Sequence, residues 1–322
     1  MKMAGYVAQE TCKPGNRADS LTHPVYRFPG FPVYQRYFQN NPQMPTRAIL
    51  LGVAQDGGLP QPGCGCPNCA AARANPALRQ RVVSLGLVDE TADRAWLIDP
   101  TPDFPAQYDT LTARAPLAGI LLTHAHMGHY PGLLWLGPEA MNARDLPLYA
   151  TPRMAAFLRT HAPWSGLVDG GHVRLVEVVP GRALVLSAGL RVTPVAVPHR
   201  DEYSDTVAWL VRGPSRTLFY CPDIDHWRAF QPDLRAWLCH QDVDIALVDG
   251  TFFSPDELPG RDLAQIPHPP VRDTTALLAE SDIQVTLIHL NHTNPLWRPG
   301  PERAWLETRG LRVGAQGDMW AL

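Results

Sequence analysis

Five apolar runs in this chain each stop at a side chain that can bind a metal ion. Leu117 to Thr123 runs into His124, Leu190 to Val197 into Pro198-His199, and Leu218 to Tyr220 into Cys221-Pro222-Asp223. Ile245 to Val248 runs into Asp249, and Val285 to Ile288 into His289. Short apolar runs bounded by turn residues read as buried strands. Loops that leave strand ends are where layered α/β proteins place their chemistry. One histidine at a strand end is usually incidental. Several at successive strand ends call for a fold that gathers those ends at one edge.

The first of these ends carries the strongest signal. Thr123-His124-Ala125-His126-Met127-Gly128-His129-Tyr130 holds three histidines in six residues, as H-x-H-x-G-H. Imidazole binds zinc, iron or manganese at neutral pH. In a strand-end turn His124 and His126 can point to one side, and His129 can come round from the start of the next helix. Satisfied, partly buried histidines would explain one such residue. Three after an apolar strand favour a metal site.

A second cluster is Cys64-Gly65-Cys66-Pro67-Asn68-Cys69, a C-x-C-x-x-C loop. Three thiolates can take three corners of a tetrahedral zinc site. The fourth ligand expected is His292, one turn beyond His289. A closed, thiolate-rich site is structural, because it leaves no position for substrate. Reduced buried thiols or a redox pair are the alternatives. Cys12, Cys221 and Cys239 read as ordinary buried thiols.

The remaining pattern is that of an α/β body. Strands are expected over Arg47–Val53, Val82–Val88, Ala95–Asp99, Leu148–Ala150, Val173–Val178 and Val207–Val211. Helices are expected over 102–115, 152–160, 227–240 and 272–281, with another beginning at Pro131 to Trp135. Residues 1–45 read as an extended arm that includes Tyr34, Tyr37 and Phe38, and residues 46–322 as one body. The 322 residues, 45% of them hydrophobic, suffice for its core. A net charge of −3 gives no basic surplus for nucleic acid. No apolar run reaches membrane-spanning length, and the N-terminus lacks a secretory pattern, so the cytoplasm is the expected location.

The histidine motif and its partners resemble those of the metallo-β-lactamase-fold proteins, whose signature is H-x-H-x-D-H after a buried strand. The resemblance implies a four-layer αββα sandwich. It also implies one ion on His124, His126 and His199, and a second on His129 and His289, with Asp223 bridging. Gly128 departs from that pattern, since the family's Asp there binds the second ion and assists proton transfer. The second site is therefore expected to be vacant or weak, and Gly128→Asp is expected to raise its occupancy. Asp56, Asp201 and Asp225 could supply a substitute carboxylate, although each reads first as a solvated loop residue. Asp249 is expected to fix a loop or a ligand histidine.

Leu51-Gly52-Val53-Ala54-Gln55-Asp56-Gly57-Gly58-Leu59-Pro60 leading into the cysteines, Ala246 to Phe253, and Leu287 to Trp297 resemble the pyrroloquinoline quinone (PQQ) biosynthesis protein B family, in the same order. A cyclic phosphodiesterase family of phosphonate breakdown is similar in its cysteine loop and H-x-x-H. The usual protein B members lack the first histidines, which this chain retains. The expected function is hydrolysis by a metal-bound hydroxide, with Asp223, His129 and His289 as catalytic groups. Zinc is expected in the cysteine site, and one or two ions of zinc, iron or manganese in the histidine site. The resemblance also implies an alternative, an iron-dependent oxygenase that hydroxylates a tyrosine of a precursor peptide. A non-catalytic carrier or sensor is the third reading. The partner expected is a small molecule or short peptide, and a homodimer is left open.

Overall fold

The computed structural model describes residues 46–257, 260 and 267–322. The arm expected over 1–45 lies outside the described residues. Six strands form the first half: β1 (Thr46–Gly52), β2 (Ser84–Asp89), β3 (Arg94–Ile98), β4 (Leu117–Leu121), β5 (Leu146–Ala150) and β6 (Val173–Glu177). The second half holds β7 (Leu184–Val185), β8 (Arg191–Ala196), β9 (Val207–Arg212), β10 (Thr217–Cys221), β11 (Ile245–Asp249), β12 (Gln284–Ile288) and β13 (Arg312–Val313). The last strand, β14 (Met319–Ala321), returns to pair antiparallel with β1.

Two seven-stranded sheets result, ordered β14-β1-β2-β3-β4-β5-β6 and β13-β12-β11-β10-β9-β8-β7. Their inner strands are apolar on both faces because both faces are covered. The period of two divides the side chains between two cores. Leu50, Leu85, Leu87, Trp96 and Ile98 turn inward against Trp209, Val211 and Val248 of the second sheet. Ile49, Leu51, Val88 and Leu97 turn outward against Leu111, Met154 and Leu158 of helices Phe104–Thr112 and Pro152–Thr160. On the far side, Leu278 of helix Val271–Leu278 and Leu306 of helix Pro301–Glu307 cover the second sheet. The four layers are those of an αββα sandwich. Each fully buried Leu or Trp contributes about 1.5–3 kcal/mol of transfer free energy.

Local chemistry sets the element ends. Helix Pro152–Thr160 starts where the Thr151 hydroxyl accepts from Met154 N, with proline in its first turn. The helix expected over 227–240 is two, Trp227–Phe230 and Leu234–His240. Pro232 falls between them, without an N–H and with a ring that excludes a preceding helical turn. Asp233 then caps the second piece by accepting from Ala236 N. The helix expected at Pro131 is a single 3-10 stretch, Pro131–Leu136. Gly132 is held there against the Pro100 carbonyl at 2.8 Å.

The cysteine loop runs into an unexpected helix, Pro67–Ala74, which places Cys69 in its first turn. Cys221 is buried and free as expected. Cys239 is not the free buried thiol expected, since it is half-buried and disulfide-bonded. No helix among the described residues is long and apolar enough to cross a membrane.

β3–β4 and β10–β11–β12 run parallel, so their C-terminal ends lie at one edge of each sheet. Val207 N donates to Thr123 O, and Trp209 Nε1 to Leu122 O, which joins the two edges. That seam is where the strand-end side chains meet.

Candidate metal centre

His124 leaves β4, His199 follows β8, and Asp223 follows β10. His124 Nε2 lies 2.9 Å from His126 Nδ1, which lies 3.2 Å from His199 Nε2. Asp223 closes the group, with Oδ2 3.3 Å from His124 Nε2 and Oδ1 3.5 Å from His199 Nε2. An ion with bonds of about 2.0–2.1 Å in tetrahedral geometry holds its ligand atoms about 3.3 Å apart. The spacings therefore fit a metal, whereas the single lone pair or proton of His126 Nδ1 can pair with only one of the two imidazole nitrogens beside it.

Each far nitrogen is fixed by an oxygen. His124 Nδ1 meets Thr123 Oγ1 at 3.0 Å, and His199 Nδ1 meets Asp225 at 2.9 Å. His129 Nδ1 meets Asp99 at 2.8 Å, and His289 Nδ1 meets Thr251 Oγ1 at 2.8 Å. Such outer partners hold the ring and its tautomer and raise ligand basicity. Asp99 and His289 are also the two site residues with positive φ, 63° and 60°. A left-handed conformation costs a non-glycine residue about 1–3 kcal/mol and tends to mark functional positions.

The second ion position gathers as well. His129 Nε2 lies 3.0 Å and His289 Nε2 3.3 Å from Asp223 Oδ2, the oxygen that also faces His124. Asp223 thus faces both groups of imidazole nitrogens. Asp56 joins them, since its carboxylate and the His129 and His289 nitrogens lie within 4.8 Å of one another. Asp56 Oδ1, His129 Nε2 and His289 Nε2 are all buried without a hydrogen-bond partner. Buried polar atoms are rarely left so, and three converging ones fit a cation.

The three carboxylates weighed as substitutes have separate fates. Asp56 is only in part the solvated loop residue first read: its side chain is 34% exposed, but its Oδ1 is buried against Gly128. Asp225 stands behind His199 as an orienting partner. Asp201 is on the surface, paired with Arg153 at 3.0 Å. A Cβ on Gly128 would lie 2.2 Å from Asp56 Oδ1, so Gly128→Asp alone cannot simply add a ligand.

Charge follows the same geometry. Burial pushes His124 well below its ordinary value, and lowers His126 and His289 too. Burial also opposes the charge on His129, but Asp99 and Asp223 outweigh it and raise this histidine to about 10. Asp223 is held well below the usual carboxylate range, against its burial, chiefly by His289 and His199.

His268 was not foreseen. It is buried, held at Nδ1 by Asp249 Oδ2 at 2.7 Å, and 3.4 Å from Asp223 Oδ1. Asp249 outweighs the effect of burial and raises His268 to about 9. Asp249 fixes its own loop, one of the two roles expected, by accepting from Thr251 N and Oγ1, while the histidine it holds is His268 rather than one of the expected ligands. Asp99 was missed as well, although it follows β3 in the same strand-end position as the others.

The cysteine cluster lies at the other end of Leu287 to Asn294. Sγ of Cys64, Cys66 and Cys69 lie 3.4, 3.5 and 3.6 Å from His292 Nδ1. One imidazole nitrogen offers a single lone pair or a single proton, so it cannot satisfy three thiols. Zinc–sulfur bonds of about 2.3 Å and a zinc–nitrogen bond of about 2.0 Å in a tetrahedron separate S from N by about 3.5 Å. Asn68 Nδ2 ties the loop to this segment by donating to the His292 and Asn294 carbonyls, each at 3.0 Å.

Known proteins share this architecture. Residues 94–312 match the beta-lactamase superfamily domain. A coenzyme PQQ synthesis protein B from Ruegeria pomeroyi is 30% identical over 302 residues, covering 84% of this chain and 98% of its own length. That from Rhizobium meliloti is 29% identical, covering 84% and 96%. The zinc-bound PqqB structure from Methylobacterium extorquens superposes with a TM-score of 0.74 at 24% identity, covering 86% of this chain and 100% of that one. A diphosphatase of the PhnP family gives 0.62 at 20% identity, covering 85% and 96%. With its sandwich, its two donor clusters and these relatives, the chain belongs to the beta-lactamase superfamily and, within it, to the family of coenzyme PQQ synthesis protein B.

Proposed function

We propose that the chain is a metal-dependent hydrolase acting on a small molecule or short peptide. The observation that carries this reading is the convergence of His124, His126, His199 and Asp223, whose ligand atoms lie within 4.8 Å of one another. These four residues would hold the first ion, with zinc, iron and manganese all suited to the donors. A bound divalent ion supplies a Lewis acid and a water acidified toward neutrality.

The protein's own groups supply the rest. Asp223 faces both ion positions and orients what lies between them. His268, pinned by Asp249, keeps its proton at neutral pH and is the donor we assign to the leaving group. His129 and His289 present Nε2 toward the same centre, where they would hold a second ion or, without one, stabilise charge that develops there. Substrate would enter beside His126, the most exposed of these histidines, whose Nε2 lies 3.3 Å from Glu202. Met127 and Tyr203, 58% and 57% exposed, form an apolar rim there that suits an organic substrate.

His126→Ala tests this reading. Bound metal should fall by an equivalent, and esterase or phosphodiesterase turnover should be lost. Unchanged metal content overturns it. A second reading draws on the PQQ synthesis relatives, since donors that are only histidine and carboxylate also suit iron(II) and dioxygen. Anaerobic loading with iron followed by an oxygen-uptake measurement separates the two.

A further inference from the structure

We infer that Asp56 is the carboxylate ligand of the second ion, so that this chain has moved the acid of its histidine motif to the loop after β1. The inference rests on the metal-centre reading above and deepens it. Position 128, where H-x-H-x-D-H proteins carry aspartate, is glycine here. The space is not empty. A Cβ on Gly128 would fall 2.2 Å from Asp56 Oδ1, 3.2 Å from its Cγ and 3.0 Å from its Cα. The carboxylate of one residue therefore stands where the side chain of the other would begin. Asp56 and Gly128 behave as one exchange, because an acid at 56 in this position requires glycine at 128.

The backbone fixes Asp56 in place. Gln55 N donates to Leu290 O at 2.9 Å and Leu290 N to Val53 O at 3.0 Å, which stitches the loop to the residue after His289. Gly58, with a φ of 70° and its N–H on the Gln55 carbonyl, closes the turn around Asp56. Asp56 Oδ1 then lies 4.0 Å from His129 Nε2, a span that one ion bound at about 2.1 Å to each can bridge. Both atoms, and His289 Nε2, are buried and lack a hydrogen-bond partner. A carboxylate serving only to fill the Gly128 space would have no need to leave its oxygen unsatisfied. The weak second site expected from Gly128 alone is thereby replaced by a complete one.

Elemental analysis and the absorption and spin-resonance spectra of cobalt-loaded protein test this. The wild-type chain should take up about three ions, one at the cysteines and two at the histidines. Asp56→Ala should hold about two, with the spin coupling across Asp223 lost and the melting curve still cooperative. Gly128→Asp should gain no ion. The double variant Asp56→Gly with Gly128→Asp should regain the third ion and the coupling. An Asp56→Ala protein that keeps three ions overturns the inference, as does a folded double variant that fails to regain the third. A wild-type chain with a single histidine-site ion overturns it while leaving the first-ion reading intact. A wild-type chain with zinc only at the cysteines overturns both.

Discussion

The histidine and cysteine clusters share one strand exit, since His289 serves the first and His292, three residues on, serves the second. They are built differently. The cysteine cluster takes three of its four donors from one six-residue loop and leaves Cys64 and Cys66 half-buried. The histidine cluster gathers donors from the ends of both sheets, buries nearly all of them, and fixes each far nitrogen with an oxygen. On the proposed reading, the locally assembled thiolate site serves the fold, and the site whose ligands are oriented by buried carboxylates serves chemistry.

Asp223→Ala should separate the two most sharply. It removes the oxygens that face both ion positions, so both ions should leave and turnover should fall by at least about 10³-fold. The cysteine zinc should stay, read as about one zinc per chain by elemental analysis. Loss of that zinc as well would show that the clusters are not separable.

Cys69→Ala should do the reverse. Cys69 is fully buried and packs with Ala54, Leu59 and Ala72. Its loss should remove the zinc and cost about 4 kcal/mol, measured by denaturant unfolding. Turnover per folded molecule should fall far less than in Asp223→Ala. Between these extremes, Asp225→Asn should weaken first-ion affinity by about 10–100-fold through His199 alone, measured by competition with a chelator.

The difference in assembly also explains what the sequence could reveal. The cysteine loop was legible because its geometry is local, and His292 followed from the spacing to His289. His124, His199, Asp223 and His289 could be named because each follows an apolar strand, and His126 and His129 because they share the H-x-H-x-G-H motif with His124. The same rule reaches Asp99, at the end of β3, had it been applied there. Pro232 could likewise have split the helix expected over 227–240. His268 was not legible, for it sits in Pro267-His268-Pro269-Pro270 with no strand before it. Asp56 could be named but not chosen, because the contact that decides between it, Asp201 and Asp225 joins two loops 72 residues apart (128 − 56).

Acidification should weaken the two sites unequally. Burial raises the Cys69 thiol to about 12, so zinc must displace its proton, and affinity falls as pH falls. His124, His126 and His289 are lowered, so at neutral pH they are already free of the proton an ion would displace. His129, raised to about 10, is the exception in that cluster. Chelator competition between pH 6 and 8 should give the steeper slope for the cysteine site. Equal slopes would mean that the thiols bind without losing protons or that the histidines bind with them.

The smallest effect should come from His292→Cys. His292 faces the thiols through Nδ1, the ring nitrogen nearer the backbone. A cysteine sulfur is closer to Cβ than Nδ1, but its bond to zinc is longer, about 2.3 Å against about 2.0 Å. The two differences nearly cancel, leaving a shortfall of about half an ångström that a tetrahedral four-thiolate site can take up. Zinc should therefore remain, and stability should change by no more than about 1 kcal/mol in denaturant unfolding. His292→Ala should instead behave like Cys69→Ala. A His292→Cys protein that loses its zinc would show that the imidazole does more than complete the tetrahedron. The segment from His289 to His292 would then couple the two clusters rather than merely connect them.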